Sequence, residues 1–309
     1  MRTIRGTFAA LVCVGLTLSA IPAKAEIMRV DGHFPAISDE AANLRSIAVA
    51  DFSGEDGPHL SLLVSDRLRE VRIDGRPWLN VLSGGFGRDA EASLGGNVRT
   101  SIDENVITLQ RSVCVAKDAN GGCAQSADQP VECLRVTVSV RPDLRLLRGN
   151  GALVWQWSQA NSTNLEYCPD FDDQPDVDPE IERMLGEFAR TIRYQLAPAH
   201  EGRNVRVLEG RGDLPRPLRN SYRNAMRQVE RDATAACNGF AALLPQAPAH
   251  TQLMFNNALC AERNGQYDQA ASVYQQLANG RGAVREGRDG LARIEQYRRA
   301  NAQIVTRGG

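Results

Sequence analysis

Lysine is almost missing from this sequence: Lys24 and Lys117 are the only two, and nearly every positive charge is arginine. Arginine in such excess suits phosphate or nucleic-acid recognition. The charge balance argues otherwise, since the amino-terminal segment carries Arg2, Arg5 and Lys24 and no acid. Without that segment, 33 basic residues face 37 acidic ones, a net of −4. Nucleic acid is therefore not an expected partner, and the arginine excess reads as codon usage. No Cys-x-x-Cys pair occurs and the four histidines, His33, His59, His200 and His250, are scattered. That leaves a zinc site or a thioredoxin-type redox motif without support, and a serine or cysteine nucleophile without an evident base. Ser83-Gly84-Gly85-Phe86-Gly87 follows a strand-like run but no lysine comes after it, so it fails as a phosphate loop. No cofactor and no metal are expected. The acids Asp170, Asp172, Asp173, Asp176, Asp178 and Glu180 lack the spacing and central glycine of an EF-hand. They read as a solvated loop leading into a helix amino terminus.

What is present at the amino terminus is a basic start, an apolar run from Phe8 to Ile21, and Ala23-Lys24-Ala25. Those are the three parts of a secretory signal peptide. Residues 1–25 are expected to be removed and the chain to work in the periplasm, without a lipid anchor because Glu26 follows the cleavage point. After Ile21 no stretch is apolar enough to span a bilayer, so no integral membrane segment is expected in the mature chain. Export makes Cys114, Cys123, Cys133, Cys168, Cys237 and Cys260 disulfide candidates, with 15 pairings open in principle. Cys237 and Cys260 lie symmetrically about a turn near Pro248, where antiparallel helices bring them level. Cys114 and Cys133 are similarly placed about Cys123, which leaves Cys123 for Cys168.

The chain divides by pattern. After an extension over 26–43, residues 44–209 alternate strands and helices. Ile47 to Phe52 reads as a buried strand, Pro58 opens a helix with Leu60, Val64, Leu68 and Val71 on one face, and Trp78 to Leu82 returns as a strand. From Ala92 the period becomes two, with strands over 106–116 and 134–140 and a hairpin at Gly149-Asn150-Gly151. Trp155 and Trp157 share one sheet face, as core residues. Asp178 caps a helix that lines up Ile181, Leu185, Phe188, Ile192 and Leu196. The expected class is α+β, a mostly antiparallel sheet with helices on one face. The stretch 210–217, which contains Arg211-Gly212-Asp213, is a linker. Residues 218–303 are helical and repeat at 34 residues: Ala236 with Ala270, Phe240 with Tyr274, Leu243 with Leu277, Ala258 with Ala292. That is the tetratricopeptide (TPR) period, with Gly265 and Tyr267 at the turn between two helices and the helix from Glu286 to Arg299 as a solvating cap.

Arg45 to Gly54, with its helix and second strand, resembles the periplasmic domain of the curli secretion channel family (CsgG-like), and the amino-terminal domain of TolB is similar. Ala92 to Val98 resembles that family's third strand, and Leu144 to Trp155 its glycine-turned hairpin. The resemblance implies a fold and a neighbourhood, the cell envelope, rather than a reaction. The family's membrane-spanning hairpins are not carried over, because Arg141, Arg145 and Arg148 crowd one candidate. The tetratricopeptide resemblance implies a surface for a protein or peptide partner. The expectation is a non-enzymatic envelope protein that mediates interaction or assembly. The alternatives are an oligomeric secretion component of the CsgG-like kind and an enzyme of unrecognised type. Amino-terminal sequencing of the exported protein should begin at Glu26; a chain that retains Met1 overturns the cleavage.

Overall fold

A computed structural model describes residues 26–84 and 89–308. The signal-like segment and Gly85 to Gly87 of the glycine-rich stretch lie outside the described residues. In chain order the elements are β1 (Ile27–Phe34), α1 (Asp39–Ala42), β2 (Ser46–Val49), α2 (Gly57–Arg69), β3 (Arg72–Ile73), β4 (Arg76–Pro77), β5 (Asn80–Ser83), β6 (Ala92–Lys117) and β7 (Cys123–Arg148). They continue with β8 (Leu153–Ser158), β9 (Asn161–Tyr167), α3 (Asp178–Leu196), β10 (Ala199–Arg206), α4 (Arg219–Gln228), α5 (Ala233–Leu243), α6 (Thr251–Arg263), α7 (Tyr267–Asn279) and α8 (Val284–Gly308).

The described residues fall into two compact units, one holding those of 29–203 with 258–308, the other 26–28 with 204–257. In the larger unit, the main sheet runs β5-β2-β6-β7-β8, with β9 also pairing β7. It is mixed. β2 pairs parallel with β5 and β6, whereas β7 pairs antiparallel with β6, β8 and β9. The unbroken apolar run of β2 follows from that place: every residue from Ser46 to Val49 is buried between two parallel neighbours. Leu60, Val64 and Leu68 of α2 and Leu185, Phe188 and Ile192 of α3 meet Leu94, Val136, Val138 and Val140 of the sheet in one core. Trp155 and Trp157 stack at 6.5 Å with planes 12° apart, and Trp157 meets Phe188 edge-on, which is core packing as expected. The cap of α3 differs from expectation. Val177 stands at the N-cap, and the Asp176 carboxylate accepts the Asp178 N–H at 3.0 Å. The expected strands at 92–98 and 106–116 are one continuous 26-residue strand, because pairing with β7 carries through the polar Asp103-Glu104-Asn105.

Residues 258–308, which hold α7 and α8, fall in this same unit, and α4 and α5 of the helical stretch expected over 218–303 fall in the other. The side-chain contacts explain it. Gln303 is buried, accepts the Ala36 N–H at 2.9 Å and donates to the Ala36 carbonyl at 3.0 Å. Arg299 donates to the Ile37 carbonyl and to Asp39. The Tyr297 ring lies so close to Gly32 that a Cβ there would sit 2.5 Å from it. Gly287 and Gly290 let α8 approach α7 closely: Cβ atoms added there would come within 2.7 Å of the Ala278 nitrogen and 2.6 Å of the Tyr274 ring. That register turns Ala292 outward to solvent, so it is not the packing position its spacing suggested. Nor is α8 merely a solvating cap, since Ile294, Tyr297 and Ala300 are buried.

Between α6, α7 and α8 sits a buried ion pair. Arg293 donates to both oxygens of Glu262 at 2.7 and 2.8 Å, and the Tyr274 hydroxyl donates to Oε2 at 2.6 Å. The Glu262 side chain is 0% exposed. Burial, and then the neighbouring Glu262 carboxylate, push the Tyr274 hydroxyl pKa far up. Three donors around one carboxylate offset its desolvation, which an unmatched charge could not.

In the smaller unit, Tyr222, Phe240, Leu253 and Phe255 form the centre. Asn256, fully buried, satisfies both backbone groups of Leu208: its Oδ1 accepts the Leu208 N–H at 2.9 Å and its Nδ2 donates to the carbonyl at 3.0 Å. The Tyr222 hydroxyl donates to the same carbonyl. Gly239 packs on Ala225, with a Cβ there only 2.8 Å from the alanine methyl.

Removing the Arg293 charge strands a buried carboxylate. Arg293→Met should therefore cost about 3–5 kcal/mol, read as a lowered urea midpoint under non-reducing conditions.

Candidate functional site

The most exposed feature of the larger unit is the distal part of the β6–β7 hairpin. β2 flanks β6 through Leu94, a single bridge joins Ser53 to Asn97, and β9 flanks β7 no further than Leu134. Beyond those points no described strand pairs either edge. Two strands alone continue from Ile107 opposite Cys133 to Lys117 opposite Cys123. Eleven residues of strand reach roughly 35 Å. The turn Asp118 to Gly122 closes on the Asp118 carboxylate, which accepts the Asn120 and Gly122 N–H groups at 2.8 and 2.9 Å.

Two disulfides fasten this ribbon. Cys114 bonds Cys123 near the tip, and Cys133 bonds Cys168 at the base. This replaces the expected pairing of Cys114 with Cys133 and Cys123 with Cys168. The turn is centred near Asn120 rather than at Cys123, so the register sets Cys114 beside Ser126 and carries Cys133 opposite Ile107, far down the ribbon. Cys237 and Cys260 are disulfide-bonded as well.

The two ribbon faces differ. On one, Ile107, Leu109 and Val113 line up with Val131 and Ala127 across the register, all half-buried. Arg111 is on this face. Its Nη2 meets Asp172 at 2.6 Å, and Asp172 also accepts the Cys168 N–H at 3.0 Å. One of the six acids of the solvated loop is thus committed to the ribbon base. No group of three or more His, Cys, Asp or Glu suited to a metal occurs among the described residues. On the other face, Ile102 is 50% and Val106 69% exposed. β-Branched residues alternating with polar ones suit a strand, but these two sit on the edge of β6 at the base of the ribbon, where no further described strand covers them and their apolar surface stays in water.

A cleft of about 630 Å³ lies where the ribbon leaves the sheet, lined by Asn97, Arg99, Ser101, Ser139 and Arg141. Gly54 borders it at φ 96°, and a Cβ there would fall 1.9 Å from the Val98 carbonyl oxygen, so no other residue fits. Asp143 accepts from Arg99 at 2.9 Å. A hydrogen bond with Ser158, then Arg99 and Arg141, holds its carboxyl below the usual range. The cleft is a hydrogen-bonding surface with paired charges.

Other residues named from sequence fall as follows. Ala236, Phe240 and Leu243 are buried in the smaller unit, and Ala258, Ala270, Tyr274 and Leu277 in the larger. Gly265 takes φ 75° at the α6–α7 turn, and Tyr267 packs against Tyr297 at 5.2 Å. The histidines are not all surface residues. His250 is 4% exposed, and its Nδ1 accepts the Leu253 N–H at the start of α6. His33 and His200, on β1 and β10, approach edge-on at 5.0 Å.

No family model matches the chain and no curated protein matches it. Among solved structures, the chain is similar to a PelC dodecamer from Paraburkholderia phytofirmans, at 16% identity and a TM-score of 0.24. The match covers 55% of this chain and 98% of that one. A similarity so slight carries neither fold nor assembly across.

The Cys133–Cys168 bond closes the longer of the two loops. Replacing both residues with serine should cost about 2–4 kcal/mol of stability. Replacing Cys114 and Cys123 should leave the melting temperature nearly unchanged and accelerate amide exchange between residues 107 and 131.

Proposed function

We propose that this protein works outside the cytoplasm as a non-enzymatic interaction or assembly component of the cell envelope, and that the β6–β7 ribbon is the arm that meets its partner. One observation carries this reading: a disulfide-fastened two-stranded ribbon with both edges unpaired by any described strand, continued at its base by the free edge of β6 with exposed Ile102 and Val106. Unpaired edges invite added strands, and a protein ordinarily blunts or covers them. Two cross-links are spent on holding this one extended. Disulfide bonding at all six described cysteines fits an oxidising, exported compartment. No described helix is long and apolar enough to cross a membrane. The 34-residue spacing within 218–303 supports a second protein-binding surface of the tetratricopeptide kind.

The same free edges favour a second reading, in which ribbons of several copies pair with one another as in an oligomeric secretion component. Crosslinking in the native envelope, followed by mass spectrometry and light scattering, separates the two. The double variant Ile102→Asp/Val106→Asp should keep its melting temperature, since both side chains already face water, and lose the crosslinked partner. A ring of defined size that the variant abolishes favours the second reading. A monomer with no ribbon-dependent partner overturns both.

A further inference from the structure

The hairpin of β3 and β4 turns through Asp74, at φ 50°, and Gly75, at φ 76°. Both residues of this two-residue turn take positive φ, as a type I′ turn requires. The hairpin forms one lip of a pocket of about 450 Å³ whose other wall is the end of α8. Ile73, Pro77 and Ile304 give it apolar sides, and Trp78 and Arg307 line it together with Asp74 and Arg76. The Arg307 guanidinium lies 4.0 Å over the centre of the Trp78 ring.

Two donors here are unmatched among the described residues. Trp78 is 6% exposed, and its Nε1 is buried without a hydrogen-bond partner; the Nη1 of Arg307 is buried and unpartnered too. Other buried donors of this unit, such as Arg293 on Glu262 and Gln303 on Ala36, are matched. An unmatched buried donor is costly, and two in one pocket need an explanation. An indole N–H and a guanidinium offer donors and no acceptor. Their complement is an oxyanion, which a guanidinium takes with charge-assisted hydrogen bonds. No described carboxylate is in hydrogen-bond contact with Arg307. Glu91 acts on it at longer range and Arg45 opposes that, while burial lowers its pKa. Asp74 at the lip repels a multiply charged group, and the apolar walls suit a hydrophobic body.

We propose that this pocket binds a carboxylate carried on an apolar body, with the carboxylate received by Arg307 Nη1 and the indole N–H of Trp78. The ligand is an apolar organic acid or the carboxy-terminal end of a peptide with a large apolar last residue. Two groups of the protein thus gain acceptors that the fold itself does not supply. The site is separate from the ribbon, so its fate does not depend on the interaction reading above.

The test is a titration of the full mature protein, labelled with nitrogen-15, following the indole N–H resonances. Trp78→Phe assigns the Trp78 signal. Sodium benzoate and N-acetyl-Leu-Phe with a free carboxylate are the probes, and benzamide and N-acetyl-Leu-Phe amide are their uncharged controls. The expected result is a saturable downfield shift of the Trp78 signal with the acids and none with the amides. Arg307→Gln, near the chain end, should weaken that binding about tenfold while the dispersed spectrum is retained. A stronger response to the peptide acid assigns the site to chain ends, and the reverse to small acids. The proposal is overturned if neither acid gives a saturable shift at millimolar concentration, if the amides bind as well, or if Arg307→Gln binds as tightly as the parent.

Discussion

The pairing of β6 with β7 is the constraint on which the larger unit depends. From Ala92 opposite Arg148 to Cys114 opposite Ser126 the register runs without a shift. β2 attaches to one flank of this hairpin, and β8 and β9 to the other. A slip of one residue would turn Val136, Val138 and Val140 away from α3 and bring Arg135, Thr137 and Ser139 into the core. The close approach at Gly96, where a Cβ would meet the Asp143 carbonyl oxygen, holds only in this register. So the buried half of the hairpin specifies the pairing, and the exposed half inherits it. That is why a long ribbon with little core of its own can still be ordered.

At the other end of the chain, polar groups do the specifying. The Glu262 carboxylate, with donors from α7 and α8, and the Gln303 amide, matched to both backbone groups of Ala36, each accept one arrangement of their neighbours. Burial of such groups is costly unless every bond is made. Apolar contacts such as Phe34 on Tyr297 contribute area but less direction. The helices therefore dock where their polar atoms are satisfied, which is against the amino-terminal segment.

Much of the α+β unit was legible in the residues. The apolar run at Ile47, the one-sided faces of α2 and α3, and the turn at Gly149-Asn150-Gly151 all follow local rules, and local rules act over a few residues. Less legible was whatever depends on register over long separations. Cysteine symmetry misplaced two disulfides because the turn centre was set by the Asp118 carboxylate, not by Cys123. A 34-residue spacing matched Ala292 to Ala258, yet Gly287 and Gly290 set how α8 lies on α7 and left Ala292 in solvent. That one strand runs on through the polar Asp103-Glu104-Asn105 was not legible, because its partners sit thirty or more residues on. Of the candidate sites, the ribbon was visible as alternation but not as a projection. The pocket at Trp78 was invisible, since nothing near Trp78 in sequence points to Arg307.

The ribbon is also a cantilever. A load on its tip acts on the base through a lever of roughly 35 Å, and each strand resists stretching through its ladder while the pair bends as a unit. At the root, the Cys133–Cys168 bond couples β7 covalently to the loop that leads into α3, and Arg111 grips the same loop through Asp172. Torque applied at the tip is therefore delivered to the helix that packs on the sheet rather than dissipated in a hinge.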